Sequence, residues 1–157
     1  MIQENASMPS GELSQLIDGN MITHNTDELF ANKKVVLFAV PGAFTPTCSV
    51  AHLPGYVVSA DELKEKGVDA IICLSVNDAF VMNAWGASQN AENIMMLADG
   101  DGSYTKALGL SMETAGFGGI RSQRYAMVID NGTVTNLHVE KPKEFEVSTA
   151  EAIIKAL

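Results

Sequence analysis

Two cysteines, Cys48 and Cys73, and two arginines, Arg121 and Arg124, are the scarce reactive side chains of this sequence. Cys48 lies in Pro41-Gly42-Ala43-Phe44-Thr45-Pro46-Thr47-Cys48-Ser49, after an apolar run and at the start of a segment of helical composition. Pro46 stiffens the helix entry, and Thr45 or Thr47 can cap it. Cys48 then falls in the first turn, where backbone N–H groups lack partners and the helix dipole is positive. Both favour a thiolate, the nucleophilic form of the side chain. Six residues on, Pro54 shortens or kinks that helix and leaves its first turn easy to unwind. Cys73 has the opposite setting, inside Ile71-Ile72-Cys73-Leu74. Desolvation there penalises the thiolate and leaves a small packing residue.

Other chemistries are excluded by spacing and charge. Cysteines 25 positions apart form neither a Cys-x-x-Cys pair nor a cysteine zinc site, and two are too few for a disulfide-stapled scaffold. Asp99-Gly100-Asp101-Gly102 resembles the start of a calcium loop, but its twelfth position is Leu110, where a bidentate glutamate is needed. Gly116-Phe117-Gly118-Gly119 has no lysine of a phosphate loop. Nineteen acids against ten bases, a net charge of -9, argue against a nucleic-acid partner. No apolar run approaches the ~18 residues of a membrane span. Met1 to Ser10 has no basic cluster of a targeting peptide. The reading is a cytoplasmic protein with free thiols.

The elements that position these residues follow from the apolar pattern. Val35 to Val40 and Val68 to Val76 read as buried strands joined by a helix ending at Gly67. Asp78 or Asn77 caps a helix over Ala79 to Asn90, and Ile94 to Ala98 is a third strand. Tyr125 to Ile129 and Thr133 to Val139 form a hairpin across Asn131-Gly132, and Ser148 to Leu157 is a closing helix. Before all of these, Asp18-Gly19-Asn20 predicts an N-terminal hairpin, followed by a helical turn at Thr26 to Phe30. The sum is one α/β domain over residues 1–157, a mixed central sheet flanked by helices.

The Pro41 to Ser49 segment, followed by His52-Leu53-Pro54-Gly55, resembles the active-site signature of the peroxiredoxins, and within them the peroxiredoxin-5 subfamily. The likeness continues through Cys73 to Val81, Trp85-Gly86, Leu97-Ala98-Asp99 and Arg124 to Val128. It implies a thioredoxin-like fold with an N-terminal hairpin addition and a peroxidase that needs no cofactor or metal. Carried over, Cys48 is the peroxidatic cysteine, Thr45 the hydroxyl that aligns thiolate and peroxide, Pro41 a shield against water, and Arg124 the family's arginine. Thr47, Gly42 and Phe117 fall on the substrate side. Arg121 reads as a solvated residue, and His52 as either a tuning or a packing residue. Phe80, Trp85, Phe117 and Ile120 resemble the family's aromatic wall at a homodimer edge, with ordinary core the alternative.

The sequence departs from the pattern in one place. Members that resolve within the chain carry a late cysteine, and Lys143 to Ser148 contains none. The resemblance therefore implies a one-cysteine cycle in which an external thiol, glutathione with or without glutaredoxin, reduces the Cys48 sulfenic acid. A regulatory thiol protein would use the same motif without turnover.

Overall fold

The computed structural model describes all 157 residues. In chain order the strands are β1 (Glu12–Ile17), β2 (Asn20–Asn25), β3 (Lys34–Val40), β4 (Ala70–Ser75), β5 (Met95–Ala98), β6 (Ser111–Glu113), β7 (Ile120–Ser122), β8 (Tyr125–Asp130) and β9 (Thr133–Val139). The helices are α1 (Thr26–Phe30), α2 (Leu53–Glu65), α3 (Ala79–Ser88), α4 (Ser103–Leu108) and α5 (Ala150–Ala156). None is long and apolar enough to cross a membrane.

Seven strands form one mixed sheet in the order β2-β1-β5-β4-β3-β8-β9. β3, β4 and β5 run parallel, whereas β8 and β9 add antiparallel on one side and the β1–β2 hairpin adds antiparallel on the other. This is the predicted mixed α/β sheet with its N-terminal hairpin. β3 and β4 need no polar alternation because both faces of the sheet are covered. Val36, Phe38 and Val40 pack with Tyr56 and Leu63 of α2, Trp85 of α3 and Ile153 of α5. Val35, Leu37 and Ala39 point to the other face, against Phe30 of α1 and Tyr104 and Leu108 of α4.

Local chemistry sets the boundaries. Asn131 (φ +48°) and Gly132 (φ +80°) turn β8 into β9 in two residues, the left-handed pair that a tight hairpin requires. Asp78 accepts from the Val81 N–H (2.9 Å) and Thr149 from the Ala152 N–H (3.1 Å), caps worth about 1 kcal/mol each. The Asp99 carboxylate accepts from the Tyr104 and Thr105 N–H groups (3.2 and 2.7 Å), so the acid that resembled a calcium ligand is a buried clamp on α4. The two-stranded β6–β7 sheet and the 3-10 turn Ala115–Phe117 between its strands have no counterpart in the sequence-based expectation. Three-residue strands in a glycine-rich stretch carry no measurable periodicity.

Candidate active site

β3 ends at Val40, and the chain turns through Pro41 to Thr45 before entering a helix. Phe44 stands in the left-handed region (φ +63°), a conformation costly for a bulky residue. Two hydrogen bonds brace the turn, from the Ala43 N–H to the Asn77 side chain (3.0 Å) and from the Thr45 hydroxyl to the Gly42 carbonyl (2.7 Å). The helix starts at Pro46 and carries Cys48 in its first turn, as expected, but that turn widens from α to π geometry. Cys48–His52 form a π-helical turn, in which the Leu53 N–H donates to the Cys48 carbonyl five residues back. α2 follows without a break, with Pro54 in its first turn. The wider turn sits just ahead of Pro54, which has no N–H to give. The proline is thus absorbed without ending the helix.

Neither threonine caps this helix with its side chain. Thr45 Oγ1 instead lies 2.9 Å from Cys48 Sγ, and Arg124, entering from the head of β8, brings Nη2 to 3.1 Å from the same sulfur. A guanidinium can only donate, so the Arg124 contact requires a sulfur lone pair. The Thr45 hydroxyl has one proton to divide between Sγ and the Gly42 carbonyl. The first backbone bond of the turn runs from the Ser49 N–H to the Thr45 carbonyl (2.9 Å), leaving the Thr47 and Cys48 N–H groups ahead of it as free donors. Cys48 itself is fully buried. Sulfur and guanidinium, 76 positions apart in sequence, form one cluster with the Thr45 hydroxyl.

Arg124 is held by His52, which the sequence left between a tuning and a packing role. His52 is 1% exposed, and its Nδ1 accepts from Arg124 Nη1 (2.9 Å). The other ring nitrogen, Nε2, therefore carries the proton and donates to the Ser148 carbonyl (3.0 Å). Burial, and then the Arg124 charge, push the His52 pKa down to about 3, so the ring is a neutral acceptor at physiological pH. Phe38 and Phe145 flank the imidazole, each with its centroid 5.0 Å away, and Phe145 also lies 5.8 Å from the guanidinium carbon. Glu140, opposite Arg124 at the end of β9, donates its N–H to the Arg124 carbonyl (2.9 Å). Its carboxylate accepts from the Ser148 N–H and hydroxyl and the Glu146 N–H. Burial opposes ionisation of Glu140, but these hydrogen bonds prevail and hold its pKa below the ordinary value. The two His52 contacts span 72 and 96 positions, beyond the reach of local pattern.

A cavity of about 500 Å³ opens beside this cluster, lined by Pro41, Thr47, Gln123, Arg124 and the loop of residues 140–144. Gly42 serves through its carbonyl. Phe117, expected on the substrate side, does not line the cavity; it is 69% exposed on the 3-10 turn. Trp85 is not an edge residue, because it is fully buried and donates its indole N–H to Ser49 Oγ (3.0 Å). Phe80, by contrast, is exposed. Arg121 is not a solvated residue either. It donates to the carbonyls of Gly118 (3.1 Å) and Val76 (2.8 Å), fastening the β6–β7 turn to the end of β4. No group of three or more potential metal ligands is present.

The chain is similar to proteins of one known family. The Redoxin family model matches residues 3–154. Peroxiredoxin-2D of Arabidopsis thaliana is 50% identical over 153 residues, covering 96% of this chain and 94% of that protein. Among solved structures, reduced Prx3 from Vibrio vulnificus in complex with hydrogen peroxide superposes with a TM-score of 0.98 at 68% identity, covering 99% of each chain. Peroxiredoxin 5 from Alvinella pompejana gives 0.87 at 33% identity, covering 99% of this chain and 97% of the other. The chain belongs to the Redoxin family and, within it, to the peroxiredoxins of the peroxiredoxin-2 and peroxiredoxin-5 type, which are thiol-dependent peroxidases.

Proposed function

We propose that this chain reduces hydrogen peroxide and organic hydroperoxides through a Cys48 sulfenic acid, and that an external thiol, glutathione with or without glutaredoxin, returns the cysteine to its reduced form. The observation that carries the first half is the pair of donors, Thr45 Oγ1 and Arg124 Nη2, on one buried sulfur. The Cys48 thiolate attacks one peroxide oxygen, the S–O bond forms and the O–O bond breaks. The second oxygen departs as alkoxide or hydroxide and takes a proton. Negative charge thus moves from sulfur to the leaving oxygen while the guanidinium, the hydroxyl and the free N–H groups remain fixed. Donors already oriented stabilise that shift without reorganising, which is where most catalytic advantage arises. His52, neutral and hydrogen-bonded on both nitrogens, holds the Arg124 fork in plane. The hydrogen peroxide in the related Vibrio structure supports the choice of substrate.

The cysteine inventory supports the second half. Cys73, the one other thiol, is buried in the middle of β4, where burial and then the neighbouring Cys48 raise its pKa well above the ordinary value. A thiol so disposed is a poor resolving nucleophile. An external thiol therefore attacks the sulfenic sulfur. The S–S bond forms, the S–O bond breaks and water leaves; a second thiol then releases a soluble disulfide and the Cys48 thiolate. Free thiols suit a reducing compartment, and in this reading the protein works in the cytoplasm. Exposed Phe44, Phe80 and Phe117 support a homodimer. The test is steady-state peroxide consumption with glutathione, glutathione plus glutaredoxin, and thioredoxin side by side. Turnover with glutathione is expected; turnover with thioredoxin alone would refute the assignment of reductant.

A further inference from the structure

The cavity beside Arg124 is far larger than the peroxide requires. Hydrogen peroxide needs the room of about two waters, roughly 60 Å³. At about 500 Å³ the cavity lies within the span of sites for drug-sized ligands, roughly 300–1,000 Å³. Its charge is also unusual for this chain. Acids outnumber bases nineteen to ten overall, yet Arg124, Lys141 and Lys143 line the cavity with only two acids, Glu140 and Glu144. Arg124 is engaged by Cys48 and His52, and Glu140 by Ser148 and Glu146. The groups left for a ligand are two ammonium ions and one carboxylate, on Lys141, Lys143 and Glu144, all exposed.

We propose that this cavity is the binding site of the reducing thiol. Its ligand is a small zwitterionic peptide with two carboxylates and one ammonium, the charge set of glutathione. Lys141 and Lys143 take the carboxylates and Glu144 takes the ammonium, while the Gln123 side chain, whose Nε2 donates to the Ser111 carbonyl (3.3 Å), lines the wall. The inference rests on the glutathione reading above and adds the place and the charges that recognise it. The prolines, Met112 and the lysine stems give the walls their apolar surface. The tail of an organic hydroperoxide is the competing occupant, but it would use neither ammonium ion. Recognition by exposed ionic groups also weakens with added salt.

The experiment separates the two half-reactions in the full-length protein. Oxidation of Cys48 by hydrogen peroxide is followed by rapid quench and mass spectrometry, and reduction by the kcat/KM for glutathione. Reversing both charges, Lys141→Glu with Lys143→Glu, places like charges against the ligand carboxylates. It is expected to lower kcat/KM for glutathione at least tenfold, on the scale of repulsion between opposed charges. The milder Lys141→Gln with Lys143→Gln gives a smaller loss in the same direction. The loss falls on the glutathione step and not on oxidation, and 2-mercaptoethanol, which carries no charge, reduces native protein and variants at equal rates. Glutathione turnover unchanged in both variants overturns the site. So does an equal fall in oxidation, or a loss confined to cumene hydroperoxide. Native protein that turns over with thioredoxin and not with glutathione overturns the reading beneath it, an outcome seen before any variant is made.

Discussion

Cys48 and Cys73 are equally inaccessible, each at 0% exposure, and both belong to the packed cluster on the α2 face of the sheet. They differ in what their sulfur atoms meet. Cys48 receives a hydroxyl and a guanidinium, whereas Cys73 stands in the middle of β4, paired with Phe38 of β3 and Met96 of β5. Burial alone therefore decides nothing about a thiol. A desolvated sulfur without donors is held as S–H, and a desolvated sulfur with fixed donors is prepared for attack.

The largest test of this contrast exchanges each sulfur for oxygen. Cys48→Ser is expected to lower peroxide turnover by more than about 1,000-fold, the scale of a lost nucleophile. Cys73→Ser should keep it within about threefold; equal losses would break the comparison. The next removes a donor and leaves the sulfur. Arg124→Gln should slow Cys48 oxidation by about 100- to 1,000-fold. Arg124→Lys should recover only part, since one ammonium cannot serve Sγ and His52 Nδ1 in the same plane. If Arg124→Gln oxidised at the native rate, the donors would not be what separates the two cysteines.

The smallest effect lies one contact further out. His52 has its pKa lowered on folding, so between about pH 6.5 and about pH 3 the unfolded chain binds a proton that the folded chain does not. Stability from this group is complete above about pH 6.5 and is lost as the pH falls, by up to about 1.4 kcal/mol per pH unit. His52→Gln keeps an acceptor for Arg124 and a donor for Ser148 but does not titrate. Urea unfolding from pH 7 to pH 4 should therefore show a shallower loss in the variant. Glu140 titrates in both proteins and cancels in the difference. Identical slopes would mean that burial and the Arg124 charge do not hold His52 neutral.

The parts legible in the sequence are those written in short-range chemistry. Val35 to Val40 announces a buried strand, Asp78 a helix start, Asn131-Gly132 a hairpin, and Thr45-Pro46-Thr47-Cys48 a sulfur at a helix entry. Arg124 stood out because arginine is rare here. What stayed hidden is made by the tertiary fold. Arg121 looked solvated because its acceptors are main-chain carbonyls that sequence does not display. The same holds for His52, whose partners lie 72 and 96 positions away. The π-helical turn escaped because Pro54 signals only that some bond must be missing, not how the chain absorbs the loss. Phe117, assigned to the substrate side by resemblance, stands exposed and outside the cavity, because resemblance transfers residue types more faithfully than local exposure.

The bond between Trp85 and Ser49 makes the molecule its own optical reporter. The chain has one tryptophan, fully buried, with its indole N–H on the residue next to Cys48. Any rearrangement of the turn when the sulfur gains oxygen or a second thiol changes the polarity and hydrogen bonding of that single fluorophore. Emission can then follow each half of the proposed cycle in real time, with no label added and no second indole to subtract.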